Sequence, residues 1–164
     1  MPDTPKERTC QPCTACCDGW VRMDVYGHEV APGKPCPYST GEGCSIYPDR
    51  PEDPCQRFIC GWRMADSPYP DWLRPDLAKV MVLPNHLEWQ GLPVDVAVPV
   101  GRRIPKRALN WLMDYARRTG RPLIYAEWEK TSKGYEEAPE VFTFGPQAFS
   151  REIYARLEAG ERLW

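Results

Sequence analysis

The chain has 164 residues, a formal net charge of -2 and eight cysteines. That length suits one domain, or one domain with a small appended module, and the slightly acidic balance gives no general attraction to a polyanion such as DNA. No stretch approaches the roughly 20 apolar residues of a membrane span, and the opening MPDTPKERTC lacks the apolar run of a secretory leader, so a soluble, cytoplasmic protein is expected.

Residues 1 to 9 are polar and proline-bearing, the composition of a frayed end. From Cys10 to Trp62 the chain is rich in Pro, Gly and Cys without a sustained period of 2 or 3.6, which predicts turns rather than long elements. Such a segment cannot build an adequate apolar core alone, and metal ligation is the natural substitute, because binding free energy in small metallo-modules is largely folding free energy. The composition divides the chain into a cysteine-rich metal-binding module, 1–65, and an α+β domain, 66–164. Residues 63 to 78, with Pro68, Pro70 and Pro75, read as a connecting arm.

Beyond the arm the patterning becomes regular. Lys79 to Leu83 and Val94 to Val100 read as strands, the second alternating Val94, Val96, Val98 and Val100, with Pro99 marking an edge position or a strand end. Pro105 precedes a helix through about Arg118, with Leu109, Leu112, Met113 and Ala116 on one stripe and Gly120 as its stop. Leu123 to Trp128 and Val141 to Phe144 read as two more strands, separated by a polar turn region. A last helix from about Pro146 to Ala159 aligns Phe149, Ile153 and Leu157 before Gly160. The expected fold class is α+β: an irregular, metal-bound N-terminal module packed on a small, mainly antiparallel sheet with two helices.

All eight cysteines, Cys10, Cys13, Cys16, Cys17, Cys36, Cys44, Cys55 and Cys60, fall in the N-terminal third. In a reducing compartment so dense a set serves metals or redox chemistry; an export route would instead open four disulfides. Cys10, Cys13 and Cys16 stand three apart, which lets a tight loop turn their sulfurs toward one point. Cys17 follows directly, and neighbouring side chains on an extended chain diverge, so Cys16 and Cys17 are expected to serve different metals or to include a bridge. Two cofactor readings follow. Eight thiolates close two tetrahedral four-sulfur zinc sites, whereas the Cys10, Cys13, Cys16 run also matches the spacing that holds three irons of a [4Fe-4S] cluster, with a remote cysteine as the fourth ligand. Two zinc ions with eight thiolates leave excess negative charge, for which Arg50 and Arg57 are candidate donors to sulfur, although ordinary solvated arginine is the plainer reading of both.

The run Cys10, Cys13, Cys16, Cys17, then Cys36 between two prolines, then CSIYPDRPEDPC from Cys44 to Cys55 and RFICGW ending at Trp62, resembles the CxxCxxCC family of zinc- or iron-chelating proteins, the YkgJ-type cysteine cluster proteins. The likeness covers roughly residues 10 to 62, and the arm from Pro70 to Asp76 is similar to the family as well. The resemblance implies metal chelation without a defined reaction. Some relatives are similar to flagellin lysine N-methylases, which supplies an enzyme alternative, an Fe–S protein with redox or group-transfer activity; this chain is short and shows no Gly-rich methyl-donor loop after a strand.

The remaining features have plainer readings. His28 suits zinc chemically, but with eight sulfurs available it reads as a surface residue, as does His86. Arg102, Arg103, Lys106 and Arg107 enter the first long helix and read as a solvated face, with phosphate contact the alternative. Arg117, Arg118 and Arg121 leave that helix and favour its C-terminal dipole. Trp62, Trp72, Trp89, Trp111, Trp128 and Trp164 read as core and interface anchors rather than a base-stacking platform. The expected function is a structural metal that fixes the loops of a protein working through a protein or small-molecule partner, with metal storage or delivery a further possibility and membrane or nucleic-acid partners not expected.

Overall fold

β-Branched residues alternating on one strand, followed by a helix that buries a single stripe, set the architecture of the second half. The computed structural model describes residues 7–164. A four-stranded sheet is built from β3 (Val80–Trp89), β4 (Leu92–Pro99), β5 (Leu123–Glu127) and β8 (Glu140–Phe144), in the order β3-β4-β5-β8. β3/β4 and β5/β8 are antiparallel and β4/β5 is parallel. The parallel pair is joined by α2 (Lys106–Thr119), since two parallel neighbours need a crossover. α3 (Gln147–Glu158) follows β8. The fold is therefore α+β with a small, mainly antiparallel sheet, in the expected β-β-α-β-β-α order.

The two faces of the sheet carry different partners. Ala108, Leu112 and Ala116 of α2 pack with Val80, Val82, Ala97 and Leu123 on one face, joined by Tyr69 and Leu73 of the arm. On the other face, Phe149 and Ile153 of α3 pack with Val94 and Ile124. Met81, Leu83, Val96 and Val98 lie on that second face too, and there they receive Ala15 and Val21 of the cysteine-rich third. The alternation of Val94, Val96 and Val98 thus serves two neighbours: the module covers one part of the face and α3 covers the rest.

Two local departures from the sequence reading, in β3 and in the polar region after β5, have physical causes, and Pro99 takes one of its two expected places. β3 runs to Trp89 rather than stopping at Leu83. Pro84 interrupts the ladder at a register shift between Leu83 and Leu87, tolerated because β3 is an edge strand. Pro99 closes β4, a central strand, so it marks a strand end and not an edge. The polar region 130 to 139 holds a small hairpin of β6 (Lys130–Thr131) and β7 (Gly134–Tyr135).

The cysteine-rich third is mostly turns, with one hairpin of β1 (Met23–Val25) and β2 (His28–Val30) closed by Tyr26 and Gly27 at positive φ. The arm contains a single helical turn, α1 (Pro75–Ala78). The first six of the nine residues read as a frayed end lie outside the described residues. Arg8 does not fray. It donates to the carbonyls of Trp62 and Tyr69, to Ser67 Oγ and to Asp71 Oδ1, and its guanidinium lies 4.5 Å from the Trp62 ring centroid. Among the described residues, no helix is long and apolar enough to cross a membrane.

Candidate metal centre

The turns of the N-terminal third bring the eight cysteines to two adjoining pockets. The first is lined by Cys10, Cys13, Cys16, Cys17, Cys36, Cys44 and Cys55. The second is lined by Cys10, Cys13, Cys16, Cys55 and Cys60. Each holds about 50 Å³, room for a few water-sized spheres and far too little for an organic substrate. All eight thiols are free, so the four-disulfide alternative has no pair in this structure.

Backbone geometry explains the convergence. Asp18 N–H donates to the Thr14 carbonyl and Gly19 N–H to that of Cys16, closing a turn that carries Cys16 and Cys17. Gly19 sits at φ 95° with Ala31 packed against it so closely that a Cβ would lie 2.0 Å from the Ala31 carbonyl oxygen. Cys36 N–H donates to the Cys17 carbonyl at 2.7 Å, which ties the second cysteine loop to the first. Ser39 and Cys44 form an isolated bridge that folds Cys44 back toward Cys36. Gly61 fits against Tyr69 and the Val82 carbonyl, seating Cys60 beside the sheet.

Backbone amides and burial act on the sulfurs in opposite senses. The backbone amides of Trp62 and Arg63 favour the thiolate of Cys60, those of Tyr38 and Ser39 that of Cys36, and those of Ala15 and Asp76 that of Cys13. Burial nonetheless dominates most of these thiols. It pushes Cys13 up to about 11, with the charges of Asp76 and Cys60 adding to the effect. It also raises Cys36, Cys55 and Cys60, each helped by neighbouring thiols. Cys16 and Cys17 split: their sulfurs lie 4.0 Å apart, and the hydrogen bond between them raises Cys16 and lowers Cys17. Clustered thiols that resist ionisation individually are what a multivalent cation would relieve.

The donors around the sulfurs only partly match those read from the sequence. Arg50 lines the first pocket, and its charge favours the thiolates of Cys17 and Cys55. Arg57 pairs with Glu52 at 3.2 Å on the surface and lines neither cysteine pocket. Its place is taken by Arg63, which lines the second pocket and bears on Cys60. Trp62 lines that pocket too, and its indole N–H is buried without an acceptor. Arg74 and Asp76 of the arm pair with each other next to Cys13.

The other predicted candidates lie apart. His28 is exposed, edge-on to Tyr38, and His86 is exposed; neither lines a cysteine pocket. Arg102 and Arg103 pair with Glu129 and Glu127, and Arg107 covers the Trp72 ring at 4.1 Å. Arg121, read as a partner of the helix dipole, instead reaches Asp95, 3% exposed in the centre of β4.

The donor set of free thiols, amides that favour thiolate and nearby arginines fits a thiophilic cation in chemistry. The spacing is open. Among the described residues, no three His, Cys, Asp or Glu side chains form a group that could grip an ion as placed, so the thiols gather around the pockets without closing on a point. Compared with protein-family models, curated proteins and solved structures, the chain finds no match.

Proposed function

We propose that this chain chelates metal through Cys10, Cys13, Cys16, Cys17, Cys36, Cys44, Cys55 and Cys60, and that the metal is zinc held in two four-thiolate sites. The observation carrying this reading is that all eight cysteines, unpaired and drawn from separate loops across 51 residues of sequence, line two adjoining small pockets. Zinc suits them because it takes four soft ligands and tolerates irregular loops.

The bound ions act as cross-links. They fasten loops whose own apolar burial is slight, and so shape the surface that a protein or small-molecule partner meets. The small volume of both pockets favours this structural role over turnover of an organic substrate at the sulfurs. The unpaired thiols also fit a reducing, cytoplasmic setting, and the resemblance to the CxxCxxCC family points to the same chemistry.

Elemental analysis of protein purified without air tests the reading. Two zinc ions per chain and a colourless solution are expected. A brown protein with visible absorption and inorganic sulfide would replace zinc by an iron-sulfur cluster, and a chain free of metal with folding unchanged would end the chelation reading.

A further inference from the structure

The eight cysteines are not equivalent in their surroundings, and the differences sort them. Cys13, Cys16 and Cys60 pack against the cluster of Ala15, Val21, Met81, Leu83, Val96 and Val98, on the sheet. Cys36 belongs to a separate cluster with Val25 and Val30, where Cys17 and Cys55 join it beside the β1–β2 hairpin. The pockets agree in part: Cys60 lines only the second and Cys17, Cys36 and Cys44 only the first, while Cys10, Cys13, Cys16 and Cys55 stand where the two adjoin and line both.

Resting on the metal reading above, we propose that the sulfurs divide four and four, with Cys10, Cys13, Cys16 and Cys60 on one ion, Cys17, Cys36, Cys44 and Cys55 on the other, and the Cys16–Cys17 peptide as the partition. Packing places Cys13, Cys16 and Cys60 in one set and Cys17, Cys36 and Cys55 in the other. Cys44 follows Cys36, to which the Ser39–Cys44 bridge returns it. Cys10 lines both pockets and completes the first foursome.

Across the divide the thiols meet chiefly at Cys16 and Cys17, covalent neighbours whose sulfurs are 4.0 Å apart. Each foursome has its own arginine, Arg63 in the wall of the second pocket and Arg50 in that of the first. Four thiolates around one divalent ion leave a double negative charge, so a cation beside each set is the arrangement this division needs.

Loading the full chain anaerobically with cadmium-113 and correlating cysteine Hβ protons with the metal reads the division directly, without substitution. Two cadmium resonances are expected, each coupled to one foursome. Native mass spectrometry with a competing chelator adds a second readout: Cys10→Ser/Cys60→Ser should lose one cadmium ion and hold the other as the wild type does, whereas Cys36→Ser/Cys60→Ser, which takes one ligand from each set, should hold both ions more weakly.

A cadmium coupled to both Cys55 and Cys60, a single cadmium resonance, or Cys16 coupled to both ions would overturn the division while leaving chelation standing. A wild-type chain that retains no cadmium overturns chelation, and the division with it. Should either double variant fail to fold, the wild-type spectrum alone decides.

Discussion

Asp95 projects from the centre of β4 with its side chain 3% exposed, and Arg121 meets it with three hydrogen bonds while giving a fourth to the Pro84 carbonyl. Burial pushes the Asp95 carboxyl up and the guanidinium opposes it. Removing only the arginine therefore strands a buried acid, and Arg121→Ala is expected to cost about 3–5 kcal/mol, read as a lowered urea midpoint. The sulfurs give a second expectation. A Cys13 thiol held at about 11 keeps its proton at pH 7, so zinc must displace it. Calorimetry in buffers of different ionisation enthalpy should show proton release on loading, with apparent affinity falling as pH falls. In the metal-free protein the sign reverses: the unfolded thiol ionises near 9.0 and the folded one only near 11, so stability drops as pH rises between them. At this scale the cysteines that line the two pockets were legible, because they declare themselves by type and number. Arg63, Arg121 and the amides beside the sulfurs were not, since their positions depend on which turn follows Cys60 and on where α2 ends.

Among the elements, periodic segments of five residues or more matched their sequence signals, β3 beyond Pro84 excepted, and the two- and three-residue strands did not. α2 carries its stripe over fourteen residues between Pro105 and Gly120, so Leu112 and Ala116 could be read as buried directly. Ala108, equally buried, escaped because it stands in the first turn directly after Lys106 and Arg107, where the stripe has barely begun. The β1–β2 hairpin has strands of three residues, too few for alternation to register. The turn at Gly19 is a comparable case, fixed by contact rather than by composition. Gly19→Ala would need both an unfavourable φ of 95° and a Cβ driven into the Ala31 carbonyl, so the Cys16–Cys17 turn must part from the strand end that leads to Cys36. A loss of about 3 kcal/mol or more is expected, checked by thermal unfolding of the metal-loaded protein.

At the scale of the molecule, the cysteine-rich third shares one sheet face with α3 while α2 and the arm take the opposite face. The sheet has apolar burial on both sides, whereas the cysteine loops rest on two small clusters and on whatever joins their sulfurs. Stripping metal with a chelator under reducing conditions should therefore raise amide exchange across residues 10 to 60 and leave β4 and β5 protected, a contrast that exchange mass spectrometry resolves. Equal loosening of both regions would argue that the loops and the sheet unfold as one unit. That the module packs on the sheet was legible as an arrangement; that α2 and α3 take opposite faces was not, because the stripe on a helix says how much it buries and not which side it covers.

Arg8 stands two positions before the first cysteine, yet its bonds reach residues 62 to 71, beyond the last. It thereby brings together the ends of the segment that contains every thiol before any ion is involved. Closing a loop of that length costs configurational entropy that grows only with the logarithm of its span, and whichever contact forms first bears it. With the ends already held, Cys10 and Cys60 face each other at a raised effective concentration, so the first cation captured meets a ring rather than an open chain.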